Sequence, residues 1–179
     1  RNIITKYEIN NLKDDGIFAL RSIPDYYRMI DFVPFKKPEP LPKDTIAPNF
    51  KLLSLTGQEI SLANLKGKLV LLDFFYKACY PCMQALPVLQ ELHEKYKGRG
   101  LHIIGIDPVD KKEDGLSAFL AKRGVTYPVL LGQDVAKDYR ISSCPTTYLV
   151  DKTGKIIYIE VGYNKDSKSK WEEIILKNL

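Results

Sequence analysis

The chain has 179 residues and a net charge of +5 from 27 basic and 22 acidic side chains, with 45% hydrophobic and 27% charged content. That is ordinary globular composition; it excludes whole-chain disorder, collagen and a disulfide-dense mini-protein, and the length suits one domain with an appendage or one large domain. No apolar run reaches the roughly 18 residues of a membrane span, and the basic surplus stands in scattered pairs such as Lys36-Lys37, Lys111-Lys112 and Lys122-Arg123, unlike the dense stripe of a nucleic-acid surface.

The chain starts at Arg1 without an initiator Met or a signal peptide, as expected of a processed or trimmed protein with sequence upstream. Residues 1–46 read as an irregular extension. A short strand is expected at 5–9, with turns at Asn10-Asn11 and Asp14-Asp15-Gly16. Four prolines at 34, 38, 40 and 42 stiffen this stretch into a linker or a strap. The aromatics Phe18, Tyr26, Tyr27, Phe32 and Phe35 argue against free disorder. The extension either packs on the next domain or is the tail of an upstream one.

The second domain spans 47–179. Alternation over 49–55, a turn at Thr56-Gly57 and renewed alternation over 59–62 predict a β-hairpin. The apolar run at 68–75 predicts a strand covered on both faces. Leu86, Leu89, Leu92, His93 and Tyr96 share one side of a helix over 81–97. A buried strand at 101–106, a helix at 114–123, a short strand at 128–131 and a short helix at 134–140 come next. Strands at 147–150 and 156–161 are joined by the turn Asp151-Lys152-Thr153-Gly154, and an amphipathic helix over 167–179 closes the chain. This β-α-β-α-β-α-β-β-α order predicts an α/β fold: a central mixed sheet flanked by helices, with an antiparallel edge from the late hairpin.

Cys79-Tyr80-Pro81-Cys82 falls where the first buried strand gives way to a helix. Two thiols at this spacing can bridge. Cys79 lies near the N-cap, where free N–H groups and the helix dipole favour a thiolate and so a nucleophile. Cys82, one turn in, is shielded and suits the resolving step. Pro81 costs little in a first turn. A static disulfide or half a zinc site are the alternatives. Zinc needs two more ligands, and only Cys144, His93 and His102 remain; a CxxC beside a βαβ pattern points instead to redox chemistry. Asp73, inside the apolar strand, is costly there unless it has a role or a partner.

Residues 47–179 resemble the thioredoxin superfamily, in particular the TlpA/ResA type of extracytoplasmic thiol-disulfide oxidoreductases adjoining the AhpC/TSA group. The resemblance rests on Ala47-Pro48-Asn49-Phe50, Leu65-Lys66-Gly67-Lys68, the Cys79–Cys82 motif, and Pro145-Thr146-Thr147 before Val150-Asp151-Lys152-Thr153-Gly154. It implies a thioredoxin-like fold, a redox-active disulfide and no other cofactor or metal. Cys79 becomes the nucleophile, Cys82 the resolving thiol, and Asp73 a buried group that moves a proton to or from Cys82. Pro87 matches the proline inside the family's first helix. Pro145 matches its cis-proline, whose preceding residue offers backbone groups to substrate as an added strand would. Tyr80, Pro81, Cys144, Pro145 and Thr146 are the expected substrate surface.

The implied partners are protein thiols or disulfides and an upstream electron donor, with no nucleic acid. The same resemblance implies a bacterial, monomeric protein outside the cytoplasm, periplasmic or membrane-tethered through upstream sequence. Three departures stand out. Ala78 replaces the usual Trp, Ala85 the usual Glu, and Cys144 the usual Thr, Val or Ile. Cys144 is either a small packing residue or a third thiol that tunes or pairs with Cys79. Pro81 before the second cysteine favours a reductase. Two other functions compete. Phe74-Phe75-Tyr76 is similar to the peroxiredoxins, but their Pro-x-x-x-Thr-x-x-Cys signature is absent. A non-enzymatic binding module with a static bridge is the third reading.

Overall fold

The computed structural model describes residues 37–179. The strand expected at 5–9, the turns at 10–16 and the early aromatics lie outside the described residues. Strands β1 (Lys51–Leu53) and β2 (Glu59–Ser61) form the expected hairpin as a separate two-stranded sheet. Then come β3 (Leu69–Phe74), α1 (Tyr80–Tyr96), β4 (Leu101–Asp107), α2 (Leu116–Ala121), β5 (Val129–Leu131), α3 (Gln133–Asp138), β6 (Thr146–Val150), β7 (Ile156–Val161) and α4 (Ser167–Asn178). The main sheet has the order β5-β4-β3-β6-β7. Strands β3, β4 and β5 are parallel, and β6 and β7 are added antiparallel.

Strand β3 lies at the centre and is buried at every position, which is why its sequence, Asp73 apart, is apolar on both faces and not alternating. Leu69, Leu71 and Phe75 face one side, packed with Leu86, Leu89 and Leu92 of α1 and Trp171 and Ile175 of α4. Val70, Leu72 and Phe74 face the other, packed with Val135 and Ala136 of α3, Tyr139 and Tyr148. Asp73 therefore points to the α1 side by alternation along the strand.

Helix α1 runs unbroken through Pro87. An interior proline costs about 3 kcal/mol. Leu86, Leu89 and Leu92 are essentially free of solvent, and each contributes roughly 1.5–3 kcal/mol by burial, which outweighs that cost. The helix expected at 114–123 is shorter and starts later. A 3-10 turn at Lys112–Asp114 comes first, Gly115 follows in the left-handed region at φ +71°, and α2 starts only at Leu116. The first hairpin strand is also shorter than 49–55. Ser54 bridges to Leu130 and the Leu55 N–H donates to the Val129 carbonyl, so the chain leaves the hairpin to cover the β5 edge of the main sheet.

The described part of the proline-rich segment and the residues after it, 38–46, form a strap. Asp44 N–H donates to the Ile156 carbonyl at 2.8 Å, Ile156 N–H to the Thr45 carbonyl at 2.9 Å, and Leu41 N–H to the Tyr148 hydroxyl at 3.0 Å. The start of the β7 edge is thereby paired. Both edges of the sheet are partly closed, and the carboxyl end of β3 is left to form the site.

Candidate active site

Cys79 is the N-cap of α1, and the two cysteines are joined as a disulfide across the first turn. The Cys82 N–H donates to Cys79 Sγ at 3.2 Å. A free helix-start N–H thus points at the sulfur where negative charge would develop, so the backbone itself favours a Cys79 thiolate. Pro81, in the first turn, has no N–H to leave unsatisfied. Cys79 keeps 4% of its surface exposed and Cys82 none. Only Cys79 can meet an incoming sulfur without the helix moving. Around it Ala78, Tyr80 and Pro81 are exposed, and Tyr80 is the most prominent at 73%. Ala85 is fully buried in the core beneath α1.

Asp73 is completely buried. The carboxyl does not reach solvent as one at a strand end would, because β3 continues through Phe74 and α1 covers this face. Its register partners are Gly105 on β4 and Thr147 on β6. The Thr147 hydroxyl donates to Asp73 Oδ1 at 3.5 Å, a long bond, and Oδ2 has no partner among the described residues. One weak donor cannot offset desolvation, so burial pushes the carboxyl from 3.8 up to about 7, with Thr147 pulling slightly the other way. Asp73 is thus poised to gain or lose a proton at neutral pH.

The Cys144–Pro145 peptide is cis. Pro145 is buried, and its carbonyl accepts the Gly162 N–H at 2.8 Å. Thr146 was expected on the substrate surface, but it is buried and its hydroxyl donates to the Ser143 carbonyl at 2.8 Å. Its side chain closes the loop before β6 and does not reach the surface. Cys144 is a half-buried free thiol packed against both sides of the core. Burial first, then the nearby Asp73 and Asp107 carboxylates, push it up to about 12. It lines a cleft of about 530 Å³ with Tyr76, Val109, Ala136, Ile141 and Ser143.

Sequence reasoning overlooked three residues of this region. Thr147 was legible, since alternation along β6 sets it on the face of Leu149 and opposite Asp73. Asp107 ends β4, is buried, and accepts N–H bonds from Val109 at 2.8 Å and Asp110 at 2.9 Å. Burial pushes it up to about 6 despite those donors. Tyr127, also buried, belongs to the loop before β5, and no local pattern marks it. His93 is half-buried and meets the Tyr127 ring edge-on at 5.9 Å, and His102 is half-buried within β4. Among the described residues no three His, Cys, Asp or Glu side chains are grouped to hold a metal ion.

Comparison with known proteins agrees with this geometry. The AhpC/TSA family matches residues 44–159. Thiol-disulfide oxidoreductase ResA of Bacillus thuringiensis is 37% identical over 118 residues, covering 65% of this chain and 68% of the relative. ResA of Bacillus cereus is 34% identical over 145 residues, covering 80% and 82%. A crystal structure from Chlorobium tepidum, assigned as a thiol:disulfide interchange protein DsbE, superimposes with a TM-score of 0.72 at 30% identity over 77% of this chain and 98% of that one. The chain belongs to the AhpC/TSA family and is a thiol-disulfide oxidoreductase with a thioredoxin-like fold.

Proposed function

We propose that the protein reduces disulfides of protein substrates outside the cytoplasm, using the Cys79–Cys82 pair as its only redox group. The observation that carries the reading is the asymmetry of the pair: a capped, reachable Cys79 and a wholly enclosed Cys82, on the helix that covers the sheet face carrying the buried Asp73. In the reduced protein the Cys79 thiolate attacks one sulfur of the substrate disulfide. A mixed disulfide forms, and the other substrate sulfur leaves as a thiolate. Asp73 takes the Cys82 proton, and the Cys82 thiolate attacks Cys79 Sγ. The Cys79–Cys82 bond closes, and the second substrate thiolate departs. Two electrons have moved from the protein to the substrate, and an upstream dithiol must return them.

The backbone at Cys144, before the cis bond, is the docking edge for the substrate strand, with Tyr80 and Pro81 on the opposite rim. The cleft beside Cys144 would receive the neighbouring substrate side chain. Pro81 directly before Cys82 supports the reducing direction. Location outside the cytoplasm rests on the likeness to the ResA relatives. The organisation into an extension over 1–46 and a catalytic domain over 47–179 belongs to the same reading.

The test is trapping. Incubated with a disulfide-containing protein, reduced Cys82→Ala should accumulate a mixed disulfide through Cys79. Cys79→Ala should accumulate none. Equal trapping through Cys82 in the second variant would contradict the assigned roles.

A further inference from the structure

Two oxygens that face one another's neighbourhood on the α1 side of the sheet have no hydrogen-bond partner among the described residues: Asp73 Oδ2 and the Tyr127 hydroxyl. Both residues are buried, Asp73 at 0% exposure and Tyr127 at 3%. A buried phenol without a partner loses its hydrogen bonds to water for nothing in return, and Phe would fill the same space without that cost. Such a group calls for a functional reason.

Gly105 supplies the geometry. It stands directly opposite Asp73 on β4. A Cβ there would lie 2.9 Å from Phe75 Cε1, 3.0 Å from Val129 Cγ2 and 3.4 Å from Tyr127 Cε2. The Tyr127 ring therefore lies over the bare backbone next to Asp73, in space that any side chain at 105 would take. Thr147 approaches the carboxyl from β6, on the other side of β3, and serves Oδ1. The oxygen left over is Oδ2; of the buried donors without a partner among the described residues, the Tyr127 hydroxyl and Trp171 Nε1 among them, Tyr127 is the one whose ring touches the position opposite Asp73.

We propose that Tyr127 is a positioning residue for Asp73: its hydroxyl serves as the second donor to the carboxyl across one bridging water, and with Thr147 holds it for proton exchange with Cys82. This rests on the role of Asp73 as the proton acceptor for Cys82. The phenol is suited to the task because it stays protonated. Burial, and then the Asp73 charge, push it well above its usual range. The other polar groups on this side include Thr147 of β6, Tyr158 and Glu160 of β7, Asp107 at the end of β4, Cys82, His93 and Tyr96 of α1, Trp171 of α4, and Cys144 before Pro145. In the oxidised protein the two cysteines of the pair do not titrate, which removes them from the titration of the carboxyl.

The experiment is a carbon-13 NMR titration of the Asp73 carboxyl in the oxidised full chain, wild type against Tyr127→Phe. Removing a donor to the charged form raises the midpoint, by about one pH unit for a hydrogen bond to a carboxylate. Thermal stability at pH 5, where Asp73 is neutral, should be unchanged or higher. An unmoved or lowered midpoint overturns the proposal. Mixed-disulfide resolution in Asp73→Asn separates the two claims. If that variant loses the pH step near 7 while Tyr127→Phe leaves the carboxyl unmoved, Tyr127 alone falls. If the step survives in Asp73→Asn, the role of Asp73 falls, and this proposal with it.

Discussion

Asp73 and Thr147 lie directly across from one another on β3 and β6, and the single 3.5 Å hydrogen bond between them is all that the buried carboxyl receives from the described residues. A group pushed from 3.8 to about 7 binds a proton more tightly in the folded chain than in the unfolded one. Its contribution to stability is fully present below about pH 4 and is lost as pH rises to about 7. The difference is about 4 kcal/mol at pH 8. Asp73→Asn, which never ionises, should therefore be more stable than wild type at pH 8 by a few kcal/mol, and the gain should shrink towards pH 4. Urea unfolding of both proteins at the two pH values measures this. Equal pH trends would mean that Asp73 is not strained by its burial.

The same substitution should carry a kinetic cost. Without a proton acceptor for Cys82, resolution of the mixed disulfide at pH 7 should slow by roughly a hundredfold. Formation of the mixed disulfide through Cys79 should be little changed. Stopped-flow measurement of both steps separates them, and an equal loss in both would point to a general distortion of the site.

Cys144 is predicted to be a bystander in electron transfer. With its thiol pushed up to about 12, only roughly one molecule in ten thousand carries the thiolate at pH 8. Iodoacetamide should modify reduced Cys79 and leave Cys144 untouched in the native protein. Cys144→Ser should move the potential of the pair by less than about 30 mV. Mass mapping after mild oxidation should find only the Cys79–Cys82 bridge. A Cys79–Cys144 bridge would restore the idea of a third working thiol.

Gly105→Ala should cost roughly 1–3 kcal/mol, because the added methyl would press on Phe75 and Val129 in a filled core. The ring of Tyr127 is the next contact. The variant should therefore also disturb the Asp73 titration. Denaturant unfolding and the carboxyl titration report the two effects independently.

The strand and helix order was legible because periodicity and punctuation agree along most of the chain. The run at Leu69–Phe74 is apolar but for Asp73 because both faces are covered, and α2 ends shortly before Gly124. The departures come from tertiary contacts. Ser54 keeps its hairpin bond to the Gln58 carbonyl but also bridges to Leu130, and Gly115 adopts a left-handed conformation that splits a helical pattern. The cysteine pair and Asp73 were legible because a charge in an apolar strand and a CxxC at a helix start are each conspicuous. Tyr127 was not, since its importance depends on Gly105 being bare and on Asp73 lying opposite. Thr146 was misplaced because position next to Pro145 does not reveal whether a side chain turns outwards or folds back onto the Ser143 carbonyl.

The most direct measurement is the equilibrium potential of the Cys79–Cys82 pair in dithiothreitol and glutathione buffers. The account predicts one two-electron transition at a reducing value, nearer the roughly −270 mV of thioredoxin than the roughly −120 mV of a strong oxidant. A value near −120 mV would reverse the assigned direction, and a bridge that none of these buffers reduces would mean that the pair is structural.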